Sequence, residues 1–130
     1  MNMETRRPAR LDPHLPVFTR HPGRMVADDF APLPPVEKAS GRAGFQAVAA
    51  DIDINDHVNN TVYLDWALRA VPDEARGRKP LALEVAFLGE ARLGDEVVCQ
   101  SEKAEGGAAV RQSLRDATGG RELTRLCWRF

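Results

Sequence analysis

The stretch that decides the fold is residues 51–70, DIDINDHVNNTVYLDWALRA. Residues 51–58 are polar and turn-prone, whereas residues 59–70 predict a helix. Asn59 is suited to cap that helix because its side-chain oxygen can accept a backbone N–H of the first turn. Apolar side chains recur at helical spacing along one face: Val62, Tyr63, Trp66, Ala67 and Ala70. Pro72 ends the helix because it cannot continue the hydrogen-bonding pattern.

Short segments with period-two alternation flank this helix, and such alternation is typical of strands with one buried face. The predicted strands are 45–50, 81–88, 96–102, 108–115 and 121–130. In the second of these, Leu81, Leu83, Val85 and Phe87 share one face. Gly106-Gly107 and Gly119-Gly120 predict hairpin turns. One strand, one helix and an antiparallel meander together predict an α+β fold in which a sheet buries a single helix.

The beginning of the chain has a different composition. Seven of the nine prolines lie within the first 35 residues, and proline disfavours both helices and central strands. We therefore expect a proline-rich arm over residues 1–40 and a folded domain over residues 41–130. Apolar side chains of the arm could pin it against the domain: Val17, Phe18, Met25, Val26 and Phe30.

The composition excludes several classes of protein. The chain has 130 residues, a net charge of -1 and a mean hydropathy of -0.38, which gives no general electrostatic reason to bind nucleic acid or a membrane. Two cysteines, Cys99 and Cys127, are too few for a disulfide framework or a four-cysteine zinc site. The charged N-terminus has no apolar segment typical of a secretory signal. We expect a cytoplasmic protein with free thiols, no metal and no cofactor.

The segment most suited to chemistry precedes the predicted helix. Asp53, Asn55 and His57 are spaced two residues apart, so in an extended chain they project to the same side. The first amides of the helix follow immediately and carry the positive end of its dipole. An acid, an amide, an imidazole and a helix start suit attack on a carbonyl group. Asp and Asn also favour turns and caps without any catalytic role, and the spacing alone does not separate the two interpretations.

A longer motif favours the catalytic interpretation. Residues 53–66, DINDHVNNTVYLDW, resemble the signature of the acyl–acyl carrier protein thioesterases, D-x-N-x-H-V-N-N-x-x-Y-x-x-W. Residues 87–95, FLGEARLGD, resemble the strand of that family in which a Glu shortly follows an aromatic residue. Residues 6–10 and 33–36 resemble the linker between the two domains of its members. The resemblance covers nearly the whole chain.

The resemblance implies a hotdog fold, in which an antiparallel sheet wraps around one long helix. It also implies hydrolysis of acyl carrier protein thioesters to free fatty acids, with the catalytic set Asp53, Asn55, His57 and Glu90. We expect Glu90 to act as a general base on water, its carboxylate facing the apolar helix and sheet. Substrate contacts are expected from the amides of three residues at the helix start and from the acyl pocket: Val58, Asn59, Asn60 and Tyr63. The acyl chain would lie near Tyr63, Trp66 and Phe87, although core packing is the better prediction for Trp66.

Two departures from the family limit these expectations. Its members carry two hotdog domains in tandem, and this chain resembles the linker and the second domain. Ala91 follows Glu90 where some plant members have Cys, so a cysteine nucleophile at that position is excluded. Hydrolysis of acyl coenzyme A and non-catalytic acyl binding therefore stay open as alternatives. A lone hotdog domain leaves a sheet edge uncovered, so we expect a homodimer or pairing with a second hotdog domain.

Overall fold

A computed structural model of the chain describes Gly23 and residues 31–130. The chain divides into two compact units, Met1–Ala31 and Pro32–Phe130, and the second contains all the elements described below. The predicted contacts of the arm lie outside the described residues. In the part of the chain that is described, no helix is long and apolar enough to cross a membrane.

The second unit is one antiparallel sheet and one α-helix. Its elements are β1 (Gly41–Gln46), α1 (Asn60–Arg69), β2 (Ala82–Phe87), β3 (Glu96–Ala104), β4 (Ala109–Asp116) and β5 (Glu122–Arg129), with 3-10 turns at Ala49–Asp51 and Glu105–Gly107. The strand order is β1-β3-β4-β5-β2. The predicted α+β order is therefore confirmed, and both predicted glycine turns lie between paired strands.

The first strand lies earlier than predicted. It pairs with β3 from Gly41 to Gln46, and the chain then turns at Ala49–Asp51 instead of continuing as a strand. The turn closes because Asp51 N–H donates to the Val48 carbonyl while its carboxylate accepts the Val48 N–H. This local pairing outweighs the weak alternation of the alanine-rich segment that follows β1.

Helix α1 begins and ends as its sequence predicts. The Asn59 side chain accepts the N–H of Thr61 at 2.9 Å and caps the first turn. The buried face of the helix contains Tyr63, Trp66 and Ala67. Trp66 stacks on Phe45 of β1 with ring centroids 5.5 Å apart, so its predicted place in the core is confirmed.

The sheet buries its inner face against α1. The central strands supply the largest part of this core: Val97, Cys99, Val110, Leu114, Leu126 and Trp128. The predicted buried face of β2 is wrong, because Leu81, Leu83 and Phe87 are exposed. β2 is one of the two edge strands of this sheet, paired with β5, and the helix packs over β4.

A buried polar network joins the end of α1 to the sheet. Gln112 of β4 donates to the Ala67 carbonyl at 2.8 Å and accepts the indole N–H of Trp128 at 2.6 Å. Ser101 donates to the carbonyl of Ala70 at 2.9 Å. The Ala67 carbonyl also accepts the Ala70 N–H at 3.1 Å. The Ala70 carbonyl lies beyond the last hydrogen bond of the helix, so Ser101 satisfies that carbonyl and Gln112 satisfies the Trp128 N–H, which burial would otherwise leave unpaired.

We expect Gln112→Leu to lower the free energy of unfolding by about 1–3 kcal/mol. The variant leaves the Trp128 N–H buried without its partner, and one unsatisfied buried group costs about 1–3 kcal/mol. Urea denaturation followed by tryptophan fluorescence measures the change. Gln100→Leu is the matched control because the Gln100 side chain has no hydrogen bond within residues 31–130, and a loss as large as that of Gln112→Leu would contradict the network.

Candidate active site

The segment before α1 is a tight closed loop. Ile52 and Val58 form an isolated antiparallel bridge, and between them Asp53 N–H donates to the His57 carbonyl at 2.8 Å. Asp56 has a φ of 61°, the left-handed conformation that Asp and Asn tolerate better than most residues. The prediction that Asp53, Asn55 and His57 lie along an extended chain is therefore wrong.

Inside this loop, Asp53 and Asn55 contact each other. One carboxylate oxygen of Asp53 accepts the Asn55 N–H at 2.8 Å, and the other is 3.4 Å from the Asn55 side-chain nitrogen. The backbone hydrogen bond from Asn55 lowers the pKa of Asp53 below its ordinary value. Asp53 therefore stays a carboxylate near neutral pH and holds the shape of the loop that carries His57.

Folding brings His57 to Glu90 from a distant part of the sequence. His57 Nε2 lies 3.1 Å from Glu90 Oε2. The imidazole is buried, whereas 64% of the Glu90 side chain is exposed. The expectation that Glu90 faces the apolar helix and sheet is wrong, because its segment leaves β2 and turns toward solvent. The carboxylate contacts a shielded imidazole on one side and open space on the other.

The backbone around Glu90 is held by hydrogen bonds from β5 and the turn before it. The N–H groups of Leu88 and Gly89 both donate to the Leu123 carbonyl, and Arg121 donates to the Glu90 carbonyl at 2.8 Å. A Cβ on residue 89 would lie 3.3 Å from the Glu122 carbonyl oxygen, so glycine permits the close approach. Arg121 was not predicted, since no local pattern marks a side chain that reaches across a hairpin.

Ala91, the next residue, joins the loop before α1 to the helix itself. Its N–H donates to the Tyr63 hydroxyl oxygen at 2.7 Å, and its carbonyl accepts the Val58 N–H at 2.9 Å. Tyr63 is fully buried, and that burial raises the pKa of its hydroxyl. Both sides of one peptide segment are thus bound to residues flanking the start of α1, which fixes Glu90 beside His57.

Of the three amides predicted to contact a carbonyl, two already have acceptors. The Val58 N–H donates to Ala91, and the Asn59 N–H donates to the Asp51 carbonyl at 2.8 Å. The Asn60 N–H, at the first position of α1, has no acceptor among residues 31–130. It lies at the positive end of the helix dipole. Of the three predicted amides, that of Asn60 is therefore the one available to bind a substrate carbonyl.

The remaining candidate groups lie outside this site. Cys99 and Cys127 are buried free thiols, and burial raises the pKa of Cys99 to about 12. Within the described residues, no cluster of His, Cys, Asp and Glu could hold a metal ion.

Comparisons with known proteins show which family the chain is similar to. Residues 36–129 match the family model of the acyl-ACP thioesterase C-terminal domain. A chloroplastic palmitoyl-acyl carrier protein thioesterase of Cuphea hookeriana is 32% identical over 82 residues, which cover 57% of this chain and 20% of that protein. The residues matched by the family model thus include the loop, α1 and the Glu90 segment.

Solved structures with similar folds extend the comparison. A 12:0-ACP thioesterase from Umbellularia californica has a TM-score of 0.80 at 24% identity and covers 99% of this chain and 52% of its own. An acyl-ACP thioesterase from Bacteroides thetaiotaomicron has a TM-score of 0.63 at 23% identity over 79% of this chain and 44% of its own. These likenesses show the hotdog fold, and the chain spans about half the length of each structure.

We expect Tyr63→Phe to speed hydrogen exchange of the Ala91 amide about fivefold. The variant keeps the ring and removes the oxygen that accepts the Ala91 N–H, and a hydrogen bond contributes about 1 kcal/mol net. Exchange measured by NMR, residue by residue, detects the change. The Val110 amide in β4 is the internal control, and equal acceleration at both amides would indicate global loosening instead of a local clamp.

Proposed function

Because the chain belongs to the acyl-ACP thioesterase C-terminal domain family, we propose that it supplies the catalytic site for hydrolysis of acyl carrier protein thioesters. The observation that carries the proposal is the pair of His57 and Glu90, 3.1 Å apart and open to solvent on one side. The Asn60 amide at the start of α1 completes the set. The products would be a free fatty acid and the thiol of the carrier.

Thioester hydrolysis does not require strong acid catalysis of leaving-group departure. A thiol with a pKa near 8.5 departs readily as thiolate, so hydrolysis mainly requires an activated water and a donor for the oxyanion. Glu90 removes a proton from water, whose oxygen attacks the carbonyl carbon. The Asn60 N–H binds the developing oxyanion. When the tetrahedral intermediate collapses, the C–S bond breaks and the proton held at Glu90 or His57 passes to the thiolate.

The other residues of the set act on this pair. His57 hydrogen-bonds the Glu90 carboxylate and orients it toward the water. Asp53 holds the loop through the Asn55 backbone, and the Asn55 side chain is placed to bind substrate or water. The same atoms also allow a second route, in which the Glu90 carboxylate attacks the thioester carbonyl and forms an anhydride with the acyl group. Hydrolysis in ¹⁸O-labelled water under single-turnover conditions detects the anhydride route when water attacks the Glu90 carbonyl carbon, because that attack leaves the label in Glu90, whereas general base catalysis puts it in the fatty acid.

The apolar part of the substrate would contact side chains at the edge of the fold. Tyr63 and Trp66 are buried in the core, whereas Phe87 and Leu88 are exposed beside the Glu90 segment. Phe87 also packs against Tyr63, with ring centroids 6.3 Å apart. In this conformation Phe87 is therefore the aromatic residue that an acyl chain reaches.

We expect Glu90→Gln and His57→Ala each to lower kcat at least about a hundredfold, because general base catalysis contributes ~10²–10⁴-fold. Thiol release from acyl carrier protein and acyl coenzyme A substrates of several chain lengths measures the loss. The same panel identifies the carrier. Asp56→Asn is the matched control, since it removes a carboxylate next to His57 and suits the left-handed backbone at that position.

Each outcome of this assay has one meaning. Loss of turnover in Glu90→Gln and His57→Ala, with the turnover of Asp56→Asn unchanged, supports the proposed site. Unchanged turnover in Glu90→Gln would overturn it. Tight binding of acyl thioesters without thiol release would replace hydrolysis with an acyl-binding role. Faster turnover of coenzyme A thioesters than of carrier protein thioesters would change the proposed substrate and leave the site intact.

We also propose that the chain pairs with a second copy through β2. The strand is paired on one side only, and an unpaired edge invites another strand. Apolar side chains along and beside it are exposed: Leu81, Leu83, Phe87 and Leu88. A second hotdog domain from another chain would use the same edge.

The pairing predicts a dimer at micromolar concentration by sedimentation velocity. Leu81→Lys with Leu83→Lys should give a monomer, since charges on an edge strand oppose pairing. Leu93→Lys is the control, because Leu93 is exposed in the turn before β3. A wild-type monomer, or a dimer unaffected by the double substitution, would contradict the β2 interface.

A further inference from the structure

A pocket lies at the end of α1 opposite to the end that follows His57. Its volume is about 380 Å³, within the range of about 300–1,000 Å³ typical of small-molecule sites. The helix has ten residues, which at 1.5 Å per residue separates its two ends by about 15 Å. The pocket is therefore distinct from the candidate active site.

The pocket combines apolar walls with a cationic rim. Its walls include Leu68, Val71, Ala75, Trp128 and Phe130, and its rim carries Arg69, Arg76 and Arg78. Arg69 and Arg76 pair with Asp65 and Asp73 on their own segments. Arg78 has no carboxylate partner among residues 31–130, which leaves one uncompensated positive charge at the mouth of an apolar pocket.

Arg78 is held in position without being neutralised. One of its terminal nitrogens donates to the Gly107 carbonyl at 2.9 Å, and its guanidinium lies over the Phe130 ring, 4.9 Å from the centroid. Its other N–H groups have no acceptor among residues 31–130 and can bind an anion. A planar guanidinium fixed by a ring is suited to bidentate contact with a carboxylate.

We propose that this pocket binds a long-chain carboxylate, with the head group on Arg78 and the alkyl chain against Val71, Ala75 and Trp128. The ligand must have one anionic end and an apolar body, because the rim offers one uncompensated charge and the walls few polar groups. The inference rests on the proposed function only for the source of the ligand, which is the class of the hydrolysis product.

Calorimetric titration of the whole chain with dodecanoate, below the concentration at which it forms micelles, tests the proposal. We expect saturable binding that weakens about fourfold for each methylene removed, as burial of a methylene predicts. Arg78→Gln should weaken it tenfold or more. Lys79→Gln is the matched control because it removes the neighbouring positive charge and does not line the pocket. Leu68→Glu, an exposed substitution on the wall, should weaken binding without unfolding the protein.

The indole N–H of Trp128 reports the place of binding by NMR. It donates to Gln112 inside the protein, and its ring lines the pocket, so dodecanoate should shift its resonance and leave that of His57 unchanged. A shift at His57 alone would place the ligand in the active site and overturn the inference. Equal binding of dodecyltrimethylammonium, or equal losses in Arg78→Gln and Lys79→Gln, would do the same. None of these readouts depends on turnover. An absence of hydrolysis is therefore distinguishable from an absence of dodecanoate binding in this pocket.

Discussion

The structure depends on one peptide segment that is bound on both sides. The Ala91 N–H donates to Tyr63 and its carbonyl accepts from Val58, which ties the chain after β2 to the loop and helix before it. Leu123 and Arg121 hold the same segment from the side of β5, and the Ala91 contacts fix its position relative to His57. A buried hydrogen bond to one aromatic hydroxyl therefore links the core of the fold to its chemistry. At the other end of α1, Gln112 and Ser101 bind the last helical carbonyls, so the helix is fixed to the sheet at both of its ends.

His57 and Glu90 differ in how far their side chains are exposed, although both backbones are held in place. His57 is buried and its loop is closed by the bridge between Ile52 and Val58. Glu90 has a fixed backbone but an exposed carboxylate. A carboxylate in this position meets water from solvent while its orientation is set by the imidazole. The catalytic proposal thus rests on a positioned carboxylate at a solvated surface, in contrast to a carboxylate made basic by burial.

Much of the fold could be predicted from local sequence. The cap at Asn59, the apolar stripe that contains Trp66 and the two glycine turns are each encoded within a few neighbouring residues.

What could not be predicted depends on contacts between distant segments. The exposure of β2 follows from its place at the sheet edge, which alternation does not reveal. The turn at Asp53 to His57 requires a left-handed residue at Asp56, and the spacing of polar residues fits an extended chain equally well. The role of Arg121 required the register of a hairpin. His57 was found because it belongs to a continuous motif, whereas the structure supplied the distance from His57 to Glu90.

The anchoring of Glu90 by β5 also constrains when the site can exist. Leu123 accepts both N–H groups that hold the Glu90 segment, and β2 has no sheet partner other than β5 within the described residues. The loop and α1 precede β5 in the chain, so the pair of His57 and Glu90 assembles only when β5 is in place. A chain cut before β5 would contain the helix and the imidazole and would lack the pair.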